Sequence, residues 1–468
     1  MVIMQDALPG VKRFLKGTNL GETAARHVTG FLVTFVMHIG RMSAAQAASA
    51  IRIHPRHRAQ VVRFLARSRW SGDWSLLSQV ADLLLAHEIR QTGRWLLLLD
   101  QTYCTHQGAK TENTFTHGQR SKGGKDRRQR KKSATRRCHC FVMGLLITPS
   151  GLRIPMCRPY YTREYLAEQN KKRAKQNKLR AEQAAIPYRR QTELAAELVR
   201  TAPVPSGAAM VVLGDTAFDA EPIQAACRAR SCTWIVPINL ERVLAGEKPR
   251  PKVWSLASTF RADQFAAVRL TPGKGRFVAQ RRVAACRIGP KVKTRTFYVH
   301  QERRNVQSVG DVQLVFSTTI EPQHGKPVQV QKVLMTNDST LSAAMIVELY
   351  DLRWQIELFF KELKSTLGFH QYQFRRFKKV ERWVELCLVT FVYLEWYRAE
   401  KLACRRLSEK ERRWWRWQRT HGLRMAVRQE TEEQELGRMA KYSRTKAGMR
   451  KLKRILRAAR PTEQRRAA

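Results

Sequence analysis

The chain has 468 residues, 43% of them apolar, which suits about two to four domains with real cores and excludes wholesale disorder. Its 87 Lys and Arg stand against 38 Asp and Glu, a formal charge of +49 that points away from a basic partner and toward a polyanion, nucleic acid first. No leader pattern opens MVIMQDALPGVK, no stretch reaches the length of a membrane span, and nine scattered cysteines suit reduced thiols in a cytoplasm.

Residues 1–90 read as helical. Gly21 to Gly40 is an apolar helix, Ser43 caps a short helix SAAQAASAI, RIHP makes a turn, and RHRAQVVRFLAR is a basic helix. Helix, turn and basic helix outline a DNA-reading helix-turn-helix, although a small helical bundle gives the same pattern. Trp95 to Leu99 is then an apolar run of strand length that ends on Asp100. Between Arg120 and Arg137 stand ten basic residues and one acid, Asp126, as expected of a solvated loop that meets phosphate. CHCFVMGLLIT and LRIPMCRPYY read as two strands joined through Pro149-Ser150-Gly151. Cys138-His139-Cys140 lacks a second pair at ligand spacing, so structural zinc is disfavoured. His106, His117 and His139 are expected at the surface of the basic region.

Glu164 to Arg200 is expected to be helical, and AMVVL is a buried strand that ends at Gly214-Asp215. Asp219 is placed as the cap of a helix near Pro222, and TWIVPI as a further strand. An acid therefore closes a strand twice, at Asp100 and at Asp215. Residues 241–335 are β-rich, with strands expected in RRVAACRI, KTRTFYVH, DVQLVFSTT and VQVQKVLMT. A second helix covers Val380 to Leu402; its stretch Trp383 to Tyr397 carries Glu385 and Glu395 and reads as a buried helix. The tail from Lys401 has 22 basic and seven acidic residues, with Trp414, Trp415 and Trp417 among arginines, a composition suited to a nucleic-acid backbone.

Leu341 to Leu367 reads as one helix capped by Ser342. At 100° per residue, Tyr350, Arg353, Glu357 and Lys364 fall within an arc of roughly 60°, with Lys361 close to the same stripe. A mixed-charge stripe is commonly a solvated face. Here it follows two strand-terminal aspartates in a strongly basic chain. Convergent carboxylates are what hard divalent cations need, and two such ions can drive phosphodiester chemistry.

The spacing Y-x(2)-R-x(3)-E-x(6)-K, found as Tyr350, Arg353, Glu357 and Lys364, resembles the Y-R-E-K signature of the IS-four-like group of DDE transposases from bacterial insertion sequences. The resemblance runs from about Arg94 to Leu402. It implies an α/β, ribonuclease-H-like catalytic core with a β-rich insertion, a helical N-terminal domain and a basic helical C-terminal region. The expected segments are 1–90, a DNA-binding domain; 91–240, the first part of the core; 241–335, the insertion; 336–402, the second part of the core; and 403–468, the basic tail. Asp100, Asp215 and Glu357 are the implied catalytic residues and ligands of two Mg2+ or Mn2+ ions, with Tyr350, Arg353, Lys361 and Lys364 on DNA. The implied partners are double-stranded DNA, as element terminal inverted repeats and as target, and a second copy of the chain. A cytoplasmic, nucleoid-associated protein is expected. A domesticated DNA-binding protein without catalysis and a ribonuclease-H-like nuclease that cleaves without joining remain the alternatives.

Overall fold

The computed structural model describes residues 8–38, 57–67, 70, 74–90, 92–105, 108, 110–118, 135–177, 185–246, 250–271, 276–277, 279–280, 294–450 and 453. The expected helix after Ser43 and its RIHP turn, most of the 120–137 loop, the strand RRVAACRI and the end of the basic tail lie outside them. The chain divides into two compact units. One is helical and comprises 1–87, 362–373 and 378–468; the other holds the sheet and comprises 88–361 and 374–377.

The helical unit begins with α1 (Val11–Lys16), α2 (Glu22–Met37), α3 (His57–Arg67) and α4 (Ser75–Leu85). Its core is aromatic: Phe31 and Phe35 lie 6.3 and 5.0 Å from Trp383, and Phe64 stacks on Trp70 at 5.0 Å.

The sheet unit supplies β1 (Trp95–Thr105), β2 (Phe115–Gly118), β3 (Thr135–Ile147), β4 (Arg153–Pro159), α5 (Arg163–Asn177), α6 (Gln191–Thr201), β5 (Met210–Leu213), α7 (Glu221–Ala229), β6 (Thr233–Pro237), α8 (Val253–Ala257), β7 (Ala266–Leu270), β8 (Arg295–Val306), β9 (Gly310–Thr318), β10 (Lys332–Thr336) and α9 (Ala343–Asp351). α10 (Trp354–Thr366) starts in this unit and runs into the helical one, which α11 (Phe377–Ala403), α12 (Glu409–Trp417) and α13 (Thr420–Ser443) complete.

Among the described residues the ten strands form one mixed sheet in the order β2-β3-β1-β5-β6-β10-β9-β8-β7, with β4 also on β3. β1, β5 and β6 run parallel, with Leu98 opposite Leu213 and Leu213 opposite Ile235. β3 and β10 are antiparallel to their core neighbours β1 and β6. The shared centre β3-β1-β5-β6 is the ribonuclease-H-like arrangement expected, with helices between strands where parallel pairing demands a crossover. Leu96 to Leu99, Val211 to Leu213 and Trp234 to Val236 are all nearly inaccessible, as strands covered on both faces must be.

Several local expectations need correction. β1 does not end at Asp100 but continues to Thr105, because β3 pairs with it all the way to Thr105↔Cys138 after β5 has stopped. Glu164 to Arg200 is not one helix: α5 and α6 flank an irregular stretch around Pro187, which disfavours helix at Ile186. The side chain of Asn170 accepts from the Ile186 N–H at 2.8 Å and donates to its carbonyl at 3.3 Å. The last strand of the β-rich stretch, β10, is hydrogen-bonded to β6 and extends the core sheet.

The helix expected over Leu341 to Leu367 is broken. Ser342 does cap α9, accepting from Met345 N at 3.4 Å. The chain then tightens through Leu352 and Arg353, where the amides of 352, 353, 355 and 356 bond to carbonyls three residues back. This is a 3₁₀-type joint with no Gly or Pro to announce it.

The long α11 is the buried helix expected. Residues 382–399 are all inaccessible, including Glu385, Glu395 and Arg398. Arg398 pairs with Glu395 at 3.1 Å, and Glu385 accepts from the Leu77 amide at 3.3 Å in the first turn of α4. Among the described residues no helix is long and apolar enough to cross a membrane.

Candidate active site

Asp100 and Asp215 meet through strand register. Leu98 pairs with Leu213 as the last partners of the parallel β1–β5 ladder, so each acid lies two residues further along adjacent strands. Gly214 makes the exit from β5 feasible: a Cβ there would stand 2.7 Å from Cβ of Phe218. Past it, Asp215 Oδ1 accepts from Ala217 N at 2.9 Å and caps the short 3₁₀ turn Thr216–Phe218. Asp100 Oδ1 accepts from Gln101 N at 2.7 Å.

Glu357 arrives from α10, in whose first turn a carboxylate faces the positive end of the helix dipole. Arg353, held at the 3₁₀ joint, donates through Nη2 to Glu357 Oε1 at 2.5 Å and brings Nη1 to 3.7 Å from Asp100 Oδ2. One guanidinium thus serves carboxylates from two elements. Both partners are enclosed, Arg353 with 15% and Asp100 with 14% of the side chain exposed, whereas Glu357 keeps 32%. Burial pushes the Asp100 carboxyl up to about 6; Asp215 and Glu357 add to the rise, while the Gln101 amide and Arg353 oppose it.

Tyr350 joins the same group. Its ring lies 6.0 Å from the Arg353 guanidinium carbon and 5.0 Å from Nζ of Lys332. Burial pushes its phenol up to about 12, so it stays protonated at neutral pH. Asp100, Asp215, Glu357, Tyr350 and Arg353 are therefore gathered at one edge of the sheet. Lys361 is exposed one turn beyond Glu357, and Lys364 lies further along α10, in the stretch assigned to the helical unit. Asp351 leaves the site to pair with Arg295 of β8.

Two neighbours escaped the sequence reading. Lys332 begins β10, and Trp354 opens α10 with 56% of its surface exposed. In the sequence the one mark is a tryptophan three residues before Glu357. Asp219 is not the expected helix cap, since Ala220 holds that position. Asp219 instead receives Arg242 Nε at 2.8 Å and Nη2 at 2.9 Å, with Gln224 at 3.0 Å. His139 is not at the surface either. It is buried in β3, with Nε2 2.9 Å from the Glu112 carbonyl. His117 stacks on Tyr103 at 4.1 Å, and His106 lies outside the described residues.

Among the described residues no three His, Cys, Asp or Glu side chains are close enough together to ligate one ion. Asp215 and Glu357 each add to the burial-driven rise of Asp100, and oxygen donors of this kind suit a hard divalent cation. No curated protein matches the chain. Residues 189–393 match the family described as the transposase DDE domain, and residues 17–259 match the one described as the DDE superfamily endonuclease. With more than half of its length inside the second match, the chain belongs to the DDE superfamily, as a DDE transposase.

Proposed function

We propose that this DDE transposase binds the terminal inverted repeats of its element, cuts the DNA there and joins the freed 3′-hydroxyls to target DNA. In this reading Asp100, Asp215 and Glu357 hold two divalent ions, Mg2+ or Mn2+. The observation that supports it is the placement of Asp100, Asp215 and Glu357, from β1, the β5 exit and α10, at one sheet edge, with a single arginine compensating two of them. When bound, the ions supply activation of the attacking water or 3′-hydroxyl and stabilise the leaving oxygen.

The chain's own groups do the rest. Arg353 neutralises Asp100 and Glu357 in the free protein and can exchange a carboxylate for a phosphate oxygen, because a planar guanidinium suits both. Tyr350 offers a neutral hydroxyl donor beside it. Lys361 and Lys364 add positive charge along α10 for the DNA backbone. Trp354 presents an exposed aromatic face to a base. Two element ends imply two copies of the chain in the working complex.

Incubation with Mg2+ or Mn2+ and DNA bearing the element ends tests the reading. Wild type is expected to nick and join, whereas Glu357→Gln is expected to bind the same DNA and do neither. Equal cleavage by both proteins would remove Glu357 from the metal site. Cleavage without joining in wild type would make the chain a nuclease.

A further inference from the structure

Lys332 reaches the site by topology. β1, β5 and β6 are parallel, so their C-terminal ends share one sheet edge, which carries Asp100 and Asp215. β10 runs antiparallel to β6, with Leu334 opposite Pro237 and Thr336 opposite Ile235. Its first residues therefore lie at the exit end of β6, where Ile238 N donates to the Val333 carbonyl at 3.0 Å. The insertion between the second and third acids thus returns to the core with a lysine at the catalytic edge.

The lysine has a distinctive set of neighbours. Its Nζ lies 5.0 Å from the Tyr350 ring centroid, and the same ring has the Arg353 guanidinium at 6.0 Å. Asp351, the acid nearest in sequence to Tyr350, is taken by Arg295. Among the described residues Lys332 makes no salt bridge. Although the residue reaches solvent, its ammonium is held below the ordinary lysine range by burial and by Arg353, against the pull of Asp351 and Glu357. Two cations on one phenol repel each other, and an anion placed between them removes that repulsion. The ligand chemistry that fits is an oxyanion such as a phosphodiester: an ammonium, a guanidinium and a hydroxyl donor stand together to receive its oxygens.

We infer that Lys332 is a substrate-binding residue that holds a nonbridging oxygen of a DNA phosphodiester jointly with Tyr350 and Arg353. The inference rests on the DNA-cleaving reading above. The insertion then contributes a group to the active site as well as strands to the sheet.

The test couples a side chain to a phosphate. Full-length wild type, Lys332→Met and Lys332→Arg bind end DNA in which single phosphates near the cleavage position are replaced, one at a time, by uncharged methylphosphonate. For wild type, one replacement is expected to weaken binding roughly ten-fold, as befits a charge-assisted hydrogen bond. In Lys332→Met, that same replacement is expected to weaken binding clearly less than in wild type, since only Tyr350 and Arg353 still hold the phosphate, while the others act as in wild type. Lys332→Arg is expected to retain the coupling. If every replacement weakens wild type and Lys332→Met by the same factor, or if folded Lys332→Met binds and cuts as wild type does, Lys332 touches no phosphate. Glu357→Gln in the same binding assay separates the two ideas: it is expected to show the phosphate coupling without cutting. Loss of cleavage by wild type would overturn the function while leaving the coupling readable.

Discussion

Arg424 of the helical unit and Arg353 of the sheet unit are both enclosed arginines, yet their partners differ in kind. Arg424 donates through Nε to the Val36 carbonyl at 3.1 Å and through Nη1 to the Thr366 carbonyl at 2.7 Å, at the ends of α2 and α10. Glu385 plays the converse part at the start of α4. These charges complete helix termini, whose last carbonyls and first amides have no partner within the helix. Arg353 faces side chains: Asp100, Glu357 and Tyr350. A backbone partner cannot leave or change charge, so the first arrangement is permanent. Side chains can be traded for a ligand, so the second is an equilibrium poised to change.

The largest expected effect that tests this contrast is on chemistry. Asp215→Asn should lower divalent-ion-dependent cleavage by at least about 10²–10³-fold, the range for removing one preorganised polar group from an active site. Its urea midpoint should stay near wild type. A large loss of stability would mean that Asp215 chiefly caps its turn. Arg424→Met should do the reverse in kind. Two buried helix-end carbonyls lose their donor, so unfolding free energy should drop by about 3 kcal/mol in a urea titration. A drop under about 0.5 kcal/mol, the scale of an ordinary surface change, would show that Arg424 is no structural keystone.

Asp100→Asn should stabilise the metal-free protein. The Asp100 carboxyl is raised from 3.8 to about 6 in the fold, so the fold favours its protonated form. That favourable contribution is complete below about pH 4, fades as pH rises through about 6, and is absent at pH 8. The asparagine should therefore gain up to about 3 kcal/mol over wild type at pH 8, and little at pH 4. Thermal melts at the two pH values check it, and equal differences at both would show that the fold does not penalise the Asp100 charge. The smallest effect should come from Gly214→Ala, whose new methyl must displace Phe218. A loss of about 1–2 kcal/mol is expected, with slower cleavage because Asp215 is the next residue.

How much was readable in advance follows the same physics. Asp100 and Asp215 were found because apolar runs ended on them. The polar half of β1, Gln101 to Thr105, was not recognised as strand, since it is paired with β3 after β5 has stopped and lacks a two-sided apolar pattern. Tyr350, Arg353 and Glu357 stand out by helical spacing, but the 3₁₀ joint between them has no sequence marker, since neither Gly nor Pro stands there. Asp219 was misplaced because a capping residue and an ion-pair residue look alike until Arg242, 23 residues later, is seen to reach it. Lys332 was invisible for a similar reason: only the return of β10 to β6 makes it a neighbour of the helix that follows.

The pairing of β10 with β6 also bears on attempts to shorten the protein. Trp234, Ile235 and Val236 are at most 3% exposed, and β10 covers the hydrogen-bonding edge of their strand. A deletion that removed residues 241–335 would turn β6 into an unprotected apolar margin, the sort of edge that recruits strands from other molecules. Such a truncation is expected to precipitate before its catalysis can be measured. A minimal version of this enzyme would have to retain β10, or replace it with a strand bearing charge on its outer side.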